Sequence, residues 1–334
     1  MKEYIIKNND AGQRLDRFTS KVVPMLPSSL AQKYIRIKRI KVNDKGAKRD
    51  YKLAFGDIVQ MYINDDFFET PGDENAYLKI TNPSLEIIYE DENIMLVNKP
   101  AGVLCHGGDK FDYGSVAGAR GLPLISVIQA YLHKNGQWHP RDENSFTPAL
   151  CNRIDRNTSG IVIAAKNAET LRIINEKIKQ QEIDKYYLAA VHGKPEPEKA
   201  RLEGYIFKDA VKNRVFVTKN SQPGAKSAIM EYITLSASDK LSLLECKLIT
   251  GRTHQIRAQL AYAGYPILGD GKYGNGKLDK QFEETKQALC SYKLIFNFKA
   301  EAGLLDYLNK QEFTLKTEPF IEKYFHGNIS CFMI

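Results

Sequence analysis

Three short strings carry side chains whose types and spacing permit chemistry. In PALCNRIDRNTSGIVIAA, Asp155 stands between Arg153 and Arg156, and a turn rich in hydroxyls then feeds a continuous apolar run. A carboxylate held between cations at the edge of a buried strand stays ionised and can act as a nucleophile on an electrophilic carbon. Without such a setting, an aspartate in a polar loop is a turn former. In LITGRTHQIRAQLAYAGY, His254 and Arg257 are three residues apart, so a helix would put them on one face, as a surface pair or as part of a site. In KYYLAAVHGK, Tyr187 follows Lys185 by two residues. Its ring can fill a core or stack on a planar ligand, and its hydroxyl can take part in proton transfer.

These strings need elements to position them. The run GIVIAA reads as a buried strand leaving the Asp155 loop, and Asn167 can cap a following helix whose Leu171, Ile174 and Ile178 face inward. KYYLAAVHGK returns as a strand. The spacing predicts a helix from about Thr253, with Ile256, Leu260 and Ala263 inward and Gly264 as its stop. Upstream, LEIIYEDENIMLVNKPAG reads as a hairpin ending in a Lys-Pro-Ala-Gly loop, followed by a helix near residues 126–134. Further strands are expected at 203–217, 228–234 and 241–248. Strands outnumber helices and no βαβ series occurs, so the body is expected to be α+β with a mainly antiparallel sheet. GDGKYG spells a GxGxxG, but a helix precedes it rather than a strand, which argues against dinucleotide binding.

The chain has 334 residues, 43% of them hydrophobic, enough for two domains and a sizeable core. Residues 1–64 carry 14 basic and 6 acidic side chains, while the rest of the chain carries 34 of each. The whole net charge of +8 therefore sits in the first fifth of the sequence. Within that fifth, Leu15, Phe18 and Val22 recur at helical spacing before Pro24 and Pro27. A second helix is expected from a Ser29/Gln32 capping box, with Leu30, Tyr34 and Ile37 on its apolar face. RIKVNDKG and DYKLAFGDIVQMYI read as strands and turns. Between Lys33 and Lys52 there are nine basic residues and two acidic ones, either a solvated face or a surface for a polyanion. Five cysteines without a CxxC argue against zinc and disulfide frameworks. With no apolar leader and no run long enough to span a membrane, a soluble cytoplasmic protein is expected.

RIDRNTSG resembles the catalytic motif of the RluA family of pseudouridine synthases, and the match assigns the nucleophile to Asp155. GRTHQIR is similar to the family's third motif, whose arginine, matched by Arg257, pairs with that aspartate. Relatives usually carry His two residues further on, where this chain has Gln259. KYYLA resembles the K-x-Y-x-A motif, which implies a catalytic role for Tyr187. Arg153 matches the arginine that enters the nucleic-acid helix where the target nucleotide left. RLDRF, the basic helix, KVND and FGD resemble the S4 RNA-binding domain, which implies phosphate contacts for Lys33, Arg36, Lys38, Arg39, Lys41, Lys48 and Arg49.

Residues 65–84, acidic and holding Pro71, Gly72 and Pro83 without sustained periodicity, are expected to be a linker, and the resemblance implies an S4-like domain over residues 1–64 and a catalytic domain over 85–325. It implies that uridine is isomerised by extruding the nucleotide, breaking its N1–C1′ bond and rejoining the base through C5. No cofactor or metal is required. KPAGVLCHGG points to the branch acting on large-subunit ribosomal RNA, so the expected partner is 23S rRNA or a large-subunit assembly intermediate, met by a monomer. The alternatives are a tRNA or dual-specificity synthase, and a non-catalytic RNA clamp in ribosome assembly.

Overall fold

The computed structural model describes residues 1–68, 76–107, 122–209, 214–284, 286–327 and 332. The first sixty or so residues build their own small core. Strand β1 (Lys2–Ile5), helices α1 (Leu15–Val22) and α2 (Ser28–Arg36), and strands β2 (Ile40–Val42), β3 (Lys45–Gly46) and β4 (Ile58–Met61) form two helices on a four-stranded sheet of order β1-β4-β2-β3. Leu15 and Phe18 are buried as their spacing predicts, together with Ile40, Val59 and Met61. Two expectations for α2 are corrected. The helix starts at Ser28 behind Pro27, with no side-chain cap from Ser29, because Pro27 already presets the entry. Its buried face is Ala31 and Ile35, while Ile37 lies past the last turn and is exposed.

The body begins before residue 85. A short turn at 76–79 puts Tyr77 into the larger core, against Trp138 at a ring distance of 5.1 Å, whereas Phe67 and Phe68 pack on the N-terminal core. Of the expected linker, residues 69–75 lie outside the described residues. Then come the hairpin β5 (Glu86–Glu90) and β6 (Ile94–Lys99), α3 (Leu124–Lys134), β7 (Ala149–Leu150), β8 (Ser159–Ala165), α4 (Ala168–Lys179) and β9 (Ile183–His192). They are followed by β10 (Lys199–Asp209), β11 (Arg214–Thr218), β12 (Lys226–Ala237), β13 (Leu241–Leu248), α5 (Gln255–Tyr262) and the single turn α6 (Gly276–Asp279). The chain closes with β14 (Leu289–Phe296), β15 (Glu312–Thr314) and α7 (Pro319–Phe325).

All eleven strands join one mixed sheet of order β11-β10-β12-β13-β9-β14-β8-β6-β5, with β15 on β14 and β7 on β8. Among the described pairings only β14 and β8 run parallel. The segment expected as one strand over 203–217 is two, β10 and β11, paired antiparallel around a tip outside the described residues.

Alternate residues along the central strands enter two cores, one on each face of the sheet. Met95, Val97, Val162, Tyr187 and Cys246 face α3 and α5, and Leu96, Ile161, Leu188 and Leu294 face α4 and α7. This explains why β8 reads as an unbroken apolar run: it is buried at every position. Asn167 caps α4 as expected, its side chain accepting from Thr170 N, a contact worth about 1 kcal/mol.

Candidate active site

The Asp155 loop lies where β7 and β8 meet, and three attachments fix it. Thr158 N donates to Asp155 O at 3.1 Å, closing a turn, and Gln287 Nε2 donates to the Thr158 hydroxyl at 2.7 Å. Gly160 then enters β8 at φ +115°, and a Cβ there would stand 2.2 Å from the Ser291 carbonyl oxygen on β14. Only glycine fits that parallel approach. The third attachment is Lys99, at the end of β6. It is wholly buried, and its Nζ donates to the carbonyls of Pro100, Val103 and Arg156 at 3.0, 2.9 and 3.0 Å. Burial lowers its pKa to about 8. The Lys-Pro-Ala-Gly loop is thereby laced to the residue following Asp155, and Arg156 returns the contact by donating Nε to Gly102 O at 3.0 Å.

Arg257 sits on the buried face of α5 and meets two carboxylates. Its Nη1 donates to Asp155 Oδ2 at 2.7 Å, while Nε and Nη2 donate to Oδ2 and Oδ1 of Asp270, both at 2.8 Å. Asp270 is almost fully buried, and its Oδ1 also accepts the backbone N–H groups of Lys272 and Tyr273. Burial alone would raise its pKa, but the Arg257 guanidinium and those N–H groups hold it below the usual carboxylate range. Arg257 itself is held more firmly protonated than a free arginine. Among the described residues, Asp155 Oδ1 accepts no hydrogen bond, and the side chain keeps 26% of its surface exposed. One carboxylate oxygen is thus tied down, and the other has no partner among the described residues.

Tyr187 lies on β9 opposite Ser291 of β14, and Ser291 is in turn the partner of Gly160. It is 94% buried, being 6% exposed. Burial pushes its hydroxyl up to about 12, and the Asp155 charge acts in the same direction. Arg153 is exposed, close enough to His106 to add to the lowering of that imidazole's pKa by burial. The structure therefore brings Asp155, Arg257 and Tyr187 together, with Arg153 exposed two residues before Asp155.

The seven basic residues singled out in the N-terminal unit separate into two groups. Lys33, Arg36, Lys38, Lys48 and Arg49 line a groove of about 730 Å³ with Gln32 and Asp50. Arg39 and Lys41 lie outside it: Arg39 stacks on Tyr34 at 4.7 Å and donates to Tyr62 O, and Lys41 covers the Tyr62 ring.

Sequence reasoning missed Asp270 and Lys99. Asp270 belongs to the GDGKYG string that was set aside as a poor nucleotide loop, and the glycines there have a packing reason. A Cβ on Gly274 would stand 2.3 Å from the Asp270 carbonyl oxygen, and one on Gly269, at φ +71°, would stand 2.1 Å from Lys286 O. Gln259, the departure from the family pattern, is buried and donates its amide to Leu202 O and Ala228 O at 3.1 and 3.2 Å, tying α5 to β10 and β12. Among the described residues no cluster of three or more potential metal ligands occurs, and no helix is long and apolar enough to cross a membrane.

The profile of the RNA pseudouridylate synthase family matches residues 93–262, a span that takes in Lys99, Asp155, Tyr187 and Arg257. The chain belongs to that family. It is accordingly an isomerase that converts uridine in RNA to pseudouridine. Similar proteins include ribosomal large subunit pseudouridine synthase C of Escherichia coli K12, 30% identical over 285 residues, covering 85% of this chain and 83% of that protein. The protein of the same name from Vibrio vulnificus CMCP6 is 32% identical over 278 residues, covering 82% and 80%. Among solved structures, human RNA pseudouridylate synthase domain containing 4 superposes with a TM-score of 0.54 at 22% identity, over 75% of this chain and 94% of that one. Human domain containing 1 gives 0.50 at 19% identity, over 73% and 96%. Both share the fold, the mixed and mostly antiparallel sheet with helices that makes this body α+β.

Proposed function

We propose that this synthase isomerises uridines in large-subunit ribosomal RNA, with Asp155 as nucleophile and an S4-like module at residues 1–64 as its RNA anchor. The names of the relatives support the substrate, since both are ribosomal large subunit pseudouridine synthases. One observation carries the assignment of the nucleophile: Arg257, locked from behind by Asp270, holds a single oxygen of Asp155 and leaves the other free. A carboxylate so oriented meets either C6 of the base or C1′ of the sugar without rearranging.

The other groups take roles that follow from their surroundings. The nucleotide must leave its helix to reach Asp155, and the exposed guanidinium plane of Arg153 is suited to stack in the space it vacates. Tyr187, kept protonated by burial, contributes a ring edge and a neutral O–H rather than a phenolate base. The groove lined by Lys33, Arg36, Lys38, Lys48 and Arg49 gains counterion-release affinity for the RNA backbone. The pairing of two helices with a curled four-stranded sheet supports the S4 reading of this unit.

Asp155→Asn tests the assignment. Tritium release from C5-labelled uridine in a large-subunit rRNA transcript is expected to become undetectable, while RNA binding stays as tight or tightens slightly, one anion near a polyanion having been neutralised. Turnover within about tenfold of the original, a loss of only ~1.4 kcal/mol, is too small for a missing nucleophile and would overturn the assignment. Pseudouridine mapping of total RNA from cells lacking the protein tests the substrate: absence of specific large-subunit sites is expected, and loss confined to tRNA would refute it.

A further inference from the structure

His254 stands one residue ahead of α5 with φ 52° and ψ 24°, a left-handed conformation that a side chain with a Cβ keeps only when its surroundings enforce it. Its ring packs edge-on against Tyr273 at 5.6 Å, and its Nδ1 lies 2.9 Å from the Tyr273 hydroxyl. The opposite nitrogen, Nε2, lies 3.8 Å from Asp155 Oδ2, the oxygen already held by Arg257.

The Tyr273 hydroxyl fixes the direction of this chain of contacts. Its oxygen accepts the backbone N–H of Val215 at 2.9 Å, and a phenol has one proton to give. Among the described residues Nδ1 is the remaining partner of that hydroxyl, so the phenolic proton is satisfied when Nδ1 accepts it, which leaves a neutral imidazole with its proton on Nε2, facing Asp155. We propose that His254 is a positioning residue, set by Tyr273 as the Nε2–H tautomer, which steadies Asp155 Oδ2 beside Arg257 so that Oδ1 alone meets the nucleotide. This rests on Asp155 being the nucleophile.

The surrounding charges suit a neutral ring. Asp155 faces it from the catalytic loop, Arg257 from α5, and Asp270, Lys272 and Tyr273 from the turn after α5, with Arg214 of β11 stacked on Tyr273. Burial lowers the imidazole pKa, and Arg257 and Lys272 act the same way against Asp155 and Asp270. The 3.8 Å separation suits a free enzyme, in which catalytic contacts are long and tighten once substrate closes the site.

The test uses the full chain labelled with ¹⁵N-histidine, whose ring resonances report the tautomer, His254 being assigned by comparison with His254→Gln. At neutral pH the Nε2–H form is expected in the parent protein. In Tyr273→Phe, which keeps the ring and loses the hydroxyl, Nδ1–H should become populated. Single-turnover rates should fall about tenfold in Tyr273→Phe and His254→Phe, as for loss of one hydrogen bond to a charged group, with RNA affinity unchanged. His254→Gln, whose amide reaches toward the same oxygen, should recover most of the rate. An Nδ1–H tautomer or an imidazolium in the parent protein, or an undiminished rate in His254→Phe, would overturn the proposal. An active Asp155→Asn variant would instead remove the nucleophile reading and leave the tautomer spectrum as it was.

Discussion

Asp270→Asn is a nearly isosteric change that separates the arginine clamp from everything else in the site. The carboxylate accepts four hydrogen bonds, two from Arg257 and two from the backbone N–H groups of Lys272 and Tyr273. An asparagine can keep its carbonyl where Oδ1 stands and so retain three of them. Its NH₂ group then faces Arg257 Nε across 2.8 Å, donor against donor. One charge-assisted bond is lost, and a buried guanidinium loses half of its counter-charge, which together cost on the order of 3 kcal/mol. At roughly 2–4 °C per kcal/mol for a domain of this size, Tm should fall by roughly 6–12 °C.

The functional loss should exceed what stability alone accounts for. Pinning the other two guanidinium nitrogens aims Nη1 at Asp155, and if Asp155 is the nucleophile as proposed, a shift of about 1 Å there costs about 10²-fold in rate. Single-turnover tritium release below the melting transition is expected to drop by about that factor, with RNA affinity unchanged. Asp184→Asn, which breaks a half-exposed ion pair to Lys247, is the control and should cost less than about 1 kcal/mol.

The pH dependence has a definite sign. Because the folded pKa of Asp270 is depressed, its contribution is fully present above the ordinary carboxylate range and is lost as pH falls through the folded value. The stability gap between parent and Asp270→Asn should therefore be constant near neutrality and narrow below about pH 4. In an Arg257→Lys background the Asp270→Asn penalty should shrink, since a lysine makes only one of the two contacts. A parent-like Tm and single-turnover rate in Asp270→Asn would refute the reasoning.

Neutralising Lys33, Arg36, Lys48 and Arg49 together should weaken binding to structured RNA and reduce the slope of log K against log salt by about 3, whereas the pair Arg39→Met and Lys41→Met, outside the groove, should change it less. A filter-binding titration with an unchanged slope in the fourfold variant would remove the groove from the interface. Tyr187→Phe should keep RNA affinity and slow single turnover by a factor that is constant between about pH 6 and 9, because a hydroxyl with a pKa pushed up to about 12 does not titrate there. A loss that grows with rising pH over that range would show a phenolate at work.

The parts of the site that depend on local patterns were open to reading from sequence. Asp155 precedes an all-apolar run because β8 is buried on both faces, and the helix bearing Arg257 is marked by Ile256, Leu260 and a terminal Gly264 at φ +94°. Asp270 was hidden for a different reason. Its partner is 13 residues away, beyond a helix and a turn, and no periodicity signals which loop aspartate will fold back under an arginine. The glycines around it suggested a phosphate loop, since tight backbone approach looks the same in sequence whether a ligand or another carbonyl is the neighbour. Lys99 was hidden because its three acceptors are backbone oxygens, which carry no residue identity. Strand β1 was missed because only Tyr4 is even half-buried in it and Ile5 is 62% exposed, so the alternation expected of a half-buried strand is absent. The early end of the linker escaped notice because one buried aromatic, Tyr77, makes no pattern by itself.

The same limit applies to the contact between the basic unit and the body, the feature that relates groove to catalytic loop. Asp10 is fully buried, with Oδ1 accepting from the Ser145 hydroxyl at 2.6 Å and Oδ2 from Asn144 Nδ2 at 2.7 Å. Asn9 spans the same junction, donating to Glu143 Oε1 and accepting the first N–H of α4 at 3.0 Å. Gln13 completes it by donating to the Ser145 hydroxyl. None of these residues has an apolar signature, and each sits in a polar turn that sequence reading treats as solvent-facing. Separating the units would exchange the two bonds to the Asp10 carboxylate for bonds to water, at a net cost of about 1.5–3 kcal/mol for each hydrogen bond to a charged group, so separation is opposed by more than loose surface contact. An RNA bound in the groove, as proposed above, would be presented to the Asp155 loop at a set distance, rather than within the wide range that a free tether would allow. If that groove anchors the RNA as proposed, a fixed reach would favour uridines at one spacing from the anchored segment, a geometric form of selectivity that needs no base-specific contact by the basic unit.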